Sequence, residues 1–299
     1  MRRRRALALT ALMVLALTAM GAGAAVVVAS KGTPQPTLAS SARRVLVTCR
    51  APSLGGALPA LVYLPAGYRY GSGRYHVIYF LHGLPAQPNT YTTNAFVASG
   101  VPAGRRTIVV APQGARGDND DREYLNWGPT EDWPQAIAHD LPRCIDKRFR
   151  TVANRFGRAL VGLSAGGYGA FNIGLRNLST FAVVESWSGY FAATDPSGEH
   201  VLELGSDQAD VDARVPAGRY LKREQATWPA LIAFYIGRQD SRFLQMNREF
   251  EAQLRQAGVS HYFRIYAGGH TAALWHAQVA PWLLMALRYA HPEGRRRGG

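Results

Sequence analysis

The chain reads as an α/β protein, with a mostly parallel central sheet flanked by helices, and three observations predict it. Short apolar runs alternate with longer amphipathic ones along most of the sequence, the pattern of strands buried on both faces with helices laid across them. The 299 residues suit one large domain, and no Pro/Ser/Gly linker or charge block divides the middle. Gly162-Leu163-Ser164-Ala165-Gly166 follows the apolar run Ala159-Leu160-Val161 and opens a helical pattern that continues through Asn177, giving strand, tight turn and helix in succession.

Taken in order, residues 1–30 form an export segment. Arg2 to Arg5 precede an uncharged stretch from Ala6 to Ala29, which as a helix reaches roughly 36 Å, against about 30 Å for a hydrocarbon core. That length suits a retained membrane anchor. The leucine-rich part from Ala6 to Met20, followed by Ala22-Gly23-Ala24, equally suits a cleaved signal peptide. Either way the arginines stay inside and the rest is exported, to the cell envelope or beyond. Residues 31–43 read as a variable linker, 44–291 as the catalytic domain and 292–299 as a disordered basic tail.

Within the domain, strands are expected at Arg44 to Cys49, Ala57 to Leu64, Tyr75 to Leu81, Thr107 to Ala111, Ala159 to Leu163, Ala182 to Trp187, Leu231 to Gly237 and Tyr262 to Tyr266. Trp133, Ile137, Leu141, Ile145 and Phe149 recur every four residues and form a buried helical stripe, which Pro142 should kink or end. Two more helices are expected, from about Phe243 to Ala257 with Gly258 as cap and from about Ala272 to Tyr289.

Cysteine usage and charge set the surroundings. In an exported chain Cys49 and Cys144 are either a disulfide, worth on the order of 4 to 5 kcal/mol for a loop of this length, or two buried small apolar residues. Without a histidine cluster at ligand spacing they make no structural zinc site. The formal charge is +14; setting aside Arg2 to Arg5 and the tail arginines Arg295, Arg296 and Arg297 leaves about +7 on the domain. No nucleic-acid module accompanies it, so a solvated face or attraction to an acidic envelope is the reading. Asp118, Asp120 and Asp121 lack the remaining ligands of a calcium loop, Arg116-Gly117-Asp118 is a coincidence of the same turn, and no Gly-Lys-Ser/Thr ending makes a phosphate loop of the glycines around Ser164.

Ser164 is the candidate nucleophile, because the turn forces it into strained geometry that only flanking glycines permit, and Gly162 and Gly166 flank it. A serine hydroxyl needs a histidine base oriented by a carboxylate, and donors for the developing oxyanion. His270 follows the strand Tyr262 to Tyr266 in Ala267-Gly268-Gly269-His270, and Asp240 follows the strand Leu231 to Gly237. His261 and His276 are weaker choices of base, and Glu185 and Asp195 are alternative acids. The oxyanion donors are expected to be the backbone N–H groups of Ala165 and of Leu84, in the loop that begins His82-Gly83-Leu84. No cofactor and no metal are implied.

Tyr63-Leu64-Pro65-Ala66-Gly67-Tyr68, Leu81-His82-Gly83, Val109-Val110-Ala111-Pro112, Ile145-Asp146-Lys147-Arg148-Phe149-Arg150-Thr151, Gly162 to Ala170, Ser188-Gly189 and Gly268-Gly269-His270 stand in this order. With them the chain resembles, from Val45 to Leu287, the esterase family of α/β-hydrolases that groups esterase D-like enzymes, feruloyl-type esterases and the antigen 85 mycolyltransferases. The resemblance implies the α/β-hydrolase fold, with Ser164 as nucleophile, Asp240 as acid and His270 as base. His82 and Pro85 stand where the mycolyltransferases usually carry an aspartate and an arginine, and His270-Thr271-Ala272-Ala273-Leu274-Trp275 looks like the ending of general esterases. An exported serine carboxylesterase acting on a small-molecule, lipid or carbohydrate ester is therefore the expectation. The alternatives are an acyltransferase that passes the acyl group to a sugar hydroxyl and, from another class, an anchored envelope-binding protein without catalysis.

Overall fold

The computed structural model describes residues 43–116, 123–194, 200–202, 204 and 207–290. Residues 1–30, expected to direct export, most of the expected linker, the arginine-rich tail, Asp118, Asp120, Asp121 and Asp195 lie outside the described residues. Among the described residues no helix is long and apolar enough to cross a membrane.

All eight expected strands are present: β1 (Arg43–Ala51), β2 (Gly56–Leu64), β3 (His76–Leu81), β4 (Thr107–Pro112), β5 (Arg158–Leu163), β6 (Val183–Trp187), β7 (Leu231–Gly237) and β8 (Tyr262–Tyr266). They form one sheet in the order β1-β2-β4-β3-β5-β6-β7-β8. β1 and β2 pair antiparallel from Arg43↔Leu64 to Ala51↔Gly56, β2 pairs antiparallel with β4, and β3 to β8 run parallel. The order reverses between β4, β3 and β5, so the carboxyl end of β5 sits where loops from both directions diverge and leave a crevice.

Alternation along the central strands divides the core in two. Val77, Tyr79 and Leu81 face one layer with Ile145, Phe171 and Leu254, whereas Ile78 and Phe80 face the other with Val97, Trp282 and Leu283. The first layer holds α2 (Trp133–Gln135), α3 (Leu141–Arg148), α4 (Ala165–Gly174), α6 (Gly218–Thr227) and α7 (Leu244–Gln256). The second holds α1 (Ala95–Gly100) and α8 (Ala272–Ala290). A short helix, α5 (Asp207–Ala213), precedes α6. The helices α1, α5 and α6 were not legible in the sequence: α1 and α5 span only 6 and 7 residues, too few for a period to stand out.

Pro142 does not end its helix. A π-helical segment, Ala136–Asp140, joins α2 to α3 and brings Leu141 N–H to Ala136 O. The wide turn just ahead of the proline removes the tight packing of an ordinary turn against its ring, so the stripe from Trp133 to Ile145 stays buried. Cys49 of β1 and Cys144 of α3 are joined as a disulfide, with Cα atoms 5.7 Å apart, which ties the edge hairpin to the helical layer.

Candidate active site

Ser164 follows β5 directly, at φ 56° and ψ −122°, a region that costs a non-glycine residue free energy and is held only by its surroundings. The surroundings are close. A Cβ on Gly162 would lie 1.9 Å from Gly166 O, and one on Gly166 would lie 2.1 Å from Leu81 O, so neither position admits a side chain. Ser164 N–H donates to Trp187 O at 2.9 Å, which fixes the turn to the end of β6.

His270 and Asp240 arrive from neighbouring strand ends, and their loops are bonded together. Gln239 N–H donates to Gly268 O at 2.9 Å, Gly268 N–H to Gln239 Oε1 at 2.5 Å, and Arg238 N–H to Tyr266 O at 2.7 Å. Gly268 has φ 120°, a conformation open to glycine because it lacks a Cβ. The result is a continuous chain: Ser164 Oγ is 2.9 Å from His270 Nε2, and His270 Nδ1 is 2.7 Å from Asp240 Oδ2. Asp240 is buried, with a side chain 1% exposed against 15% for His270. Its carboxylate can only accept, so Nδ1 carries the proton and Nε2 is left to receive one from Ser164. Phe243 N–H donates to Asp240 Oδ1 at 3.4 Å.

The alternative groups fall elsewhere. Glu185 lies inside β6, fully buried, and accepts from Trp187 Nε1 at 3.0 Å; burial pushes its pKa up to about 8, the Trp187 bond opposing this. His261 Nδ1 is bonded to Val259 O, and His276 stacks on Phe96.

The loop after β3 closes over the nucleophile. A Cβ on Gly83 would stand 2.9 Å from Ser164 Cβ and 3.0 Å from Leu163 O, so Leu84 begins within one residue of the serine. Ala165 opens α4, where its N–H has no partner within the helix. One neighbour of this loop was not found from the sequence. Tyr124 OH donates to His82 O at 2.9 Å, pinning the loop from beneath. His82 itself is 3% exposed, with Nδ1 3.0 Å from Gly83 O and Nε2 without a hydrogen-bond partner. Burial lowers its pKa, with the Gly83 bond opposing, and it stays neutral with the proton on Nδ1. Tyr124 is 42 residues from His82 in sequence, and no pattern in the chain links them.

A second contact also escaped the sequence. Trp275 sets its ring edge-on to His270, centroids 5.2 Å apart, and donates Nε1–H to Ser188 Oγ at 3.1 Å. Ser188 sits at φ 49° just after β6 and its N–H donates to Tyr235 O. Ser188-Gly189 and Trp275 were each visible as motif residues, but their pairing across 87 positions was not.

Residues 51–285 match the family described as "Putative esterase". The chain belongs to this esterase family. Among curated members, Esterase Rv1288 of Mycobacterium tuberculosis is 27% identical over 234 residues, 70% of this chain and 51% of that protein; the chain thus spans about half the length of that relative. Solved structures of the same fold include an S-formylglutathione hydrolase from Agrobacterium tumefaciens (TM-score 0.66, 18% identity, 86% of this chain and 98% of that one). MPT51 of Mycobacterium tuberculosis is another (TM-score 0.62, 20% identity, 84% and 100%). These likenesses establish the α/β-hydrolase fold expected from the sequence. No cluster of metal-ligating side chains occurs among the described residues.

Proposed function

We propose that the protein is an exported serine carboxylesterase that hydrolyses acyl esters through an acyl-enzyme on Ser164. The hydrogen-bonded line Ser164 Oγ, His270 Nε2, His270 Nδ1, Asp240 Oδ2 carries the proposal. His270 takes the Ser164 proton as Oγ attacks the ester carbonyl, and Asp240 stabilises the imidazolium that forms. The N–H groups of Ala165 and Leu84 receive the oxyanion. Collapse of the tetrahedral species releases the alcohol, which takes its proton from His270. Water then attacks the acyl-enzyme with His270 again as base and frees the acid.

Water rather than a sugar hydroxyl is the acceptor. His82 turns its ring into the core instead of offering it to a ligand, and Pro85 has neither N–H nor cationic reach. Family membership supports ester hydrolysis, and proteins of the same fold include an S-formylglutathione hydrolase and a ferulic acid esterase. Export rests on Arg2 to Arg5 and the uncharged residues Ala6 to Ala29. The test is product partition: with a long-chain acyl donor, with and without excess trehalose, free acid should dominate in both. Acylated trehalose as the main product overturns the choice of acceptor, and no turnover of any ester overturns the enzyme reading in favour of a binding protein.

A further inference from the structure

The end of the sheet opposite Ser164 is a basic surface. Because β3 to β8 run parallel, their amino ends share one side of the domain, and so do the loops that lead into them. The connection from Pro65 to Tyr75 carries Arg69 and Arg74, and Val101 to Arg106 carries Arg105 and Arg106; neither contains an acidic residue. The two are neighbours: His76 N–H donates to Arg106 O at 2.9 Å, and the Arg106 guanidinium lies against Gly73. Arg43 and Arg44 flank them, because Arg43 pairs with Leu64, the residue before Pro65. None of these six arginines forms an ion pair among the described residues. Arg43, Arg44, Arg69, Arg74 and Arg106 are exposed.

Two further features distinguish this end from an ordinary solvated face. Tyr70, between Arg69 and Arg74, is 90% exposed, the most exposed large hydrophobic side chain among the described residues. An exposed tyrosine on a surface that carries several arginines is the composition of a membrane-water interface, where the aromatic ring sits among headgroups and the cations meet lipid phosphates. The chain also enters the domain here, at Arg43, and the preceding sequence holds the uncharged stretch from Ala6 to Ala29. By contrast, the described residues between β4 and α2, on the Ser164 side, include Glu123, Glu131 and Asp132 against Arg116 alone.

We infer that this basic end, with Tyr70 exposed on it, docks the domain on an anionic lipid bilayer and holds the Ser164 end away from it. The six residues of β5 separate the two ends by about 20 Å. A domain seated in this way acts on esters that reach it from the aqueous side, not on acyl chains still embedded in the bilayer beneath it. The inference stands on the charge distribution and not on the esterase reading, so either can fail alone.

The test is hydrogen exchange on the full chain reconstituted into vesicles of phosphatidylcholine, with and without added phosphatidylglycerol. Amides of residues 66–75 and 103–106 should exchange at least about tenfold more slowly on the anionic vesicles, with no change in the loops beside Ser164. Raising the salt should abolish the difference. Each arginine near an anionic surface contributes roughly fivefold, equivalent to about 1 kcal/mol. The combined substitution Arg69→Gln, Arg74→Gln, Arg105→Gln, Arg106→Gln should therefore weaken docking on the order of 10³-fold. Turnover of a soluble p-nitrophenyl ester should be unchanged, which shows that the variant folds. Equal protection on both vesicles, protection at the Ser164 end, or protection by soluble polyphosphate or DNA but not by anionic vesicles would each overturn the inference. The salt dependence of the wild-type protein decides the matter even if the variant fails to fold.

Discussion

Asp240→Asn isolates the role of the carboxylate with almost no change of shape. Asp240 Oδ2 lies 2.7 Å from His270 Nδ1, while Oδ1 accepts from Phe243 N–H at 3.4 Å. An asparagine here must keep its carbonyl oxygen toward Phe243, because its amide would otherwise point a donor at a donor. The NH2 then faces His270 Nδ1 and donates to it. The imidazole is driven to the tautomer with its proton on Nε2, which cannot accept from Ser164 Oγ. Loss of both the correct tautomer and the anion beside the imidazolium should lower kcat about 10⁴-fold, equivalent to about 5 kcal/mol of barrier. Steady-state hydrolysis of p-nitrophenyl acetate measures it, with KM and the unfolding midpoint near wild-type values. A variant within tenfold of wild type refutes the reasoning, since Asp240 would then be a structural carboxylate.

Trp275→Phe keeps an aromatic edge on His270 but loses the bond to Ser188 Oγ. It should cost about tenfold in kcat with KM unchanged, the scale of one hydrogen bond; Ser188→Ala should cost the same, and the double variant no more. Additive losses would show that the two residues act separately. Glu185 supplies a pH dependence: its folded pKa of about 8 lies above the unfolded value of 4.5, so the native state binds more protons between these values. Its contribution to stability is complete at low pH and is lost as pH rises toward 8, with a slope of at most about 1.4 kcal/mol per pH unit. Urea midpoints for Glu185→Gln, which still accepts from Trp187, should vary less between pH 5 and pH 9 than those of the wild type, and parallel profiles would rule the titration out.

Much of the architecture was legible because it depends on local pattern. Buried parallel strands such as β5 and β7 are short apolar runs with few competing readings, and Gly162, Ser164 and Gly166 announce a turn whose steric needs are fixed by spacing. His270 and Asp240 were readable for a related reason, since loops after parallel strands converge at one end of the sheet. Pro142 was read as kinking or ending its helix because the rule it follows is local, and the π-helical segment ahead of it has no sequence signature. Pairings such as Tyr124 with His82 O, or Trp275 with Ser188, join residues 42 and 87 positions apart, so they exist only once the sheet has brought the loops together. The basic end is similar: its arginines are scattered in sequence and become one surface through the parallel order of the strands.

Covalent labelling of Ser164 tests the central claim most directly. A fluorophosphonate reacts only with a serine whose hydroxyl is deprotonated by a neighbouring base and whose phosphonyl oxygen finds donors. The intact protein should gain one phosphonyl group, peptide mapping should place it on Ser164, and Ser164→Ala should gain none while folding normally. Labelling of the folded wild-type protein at another serine, or none at all alongside undiminished ester hydrolysis, would contradict the account.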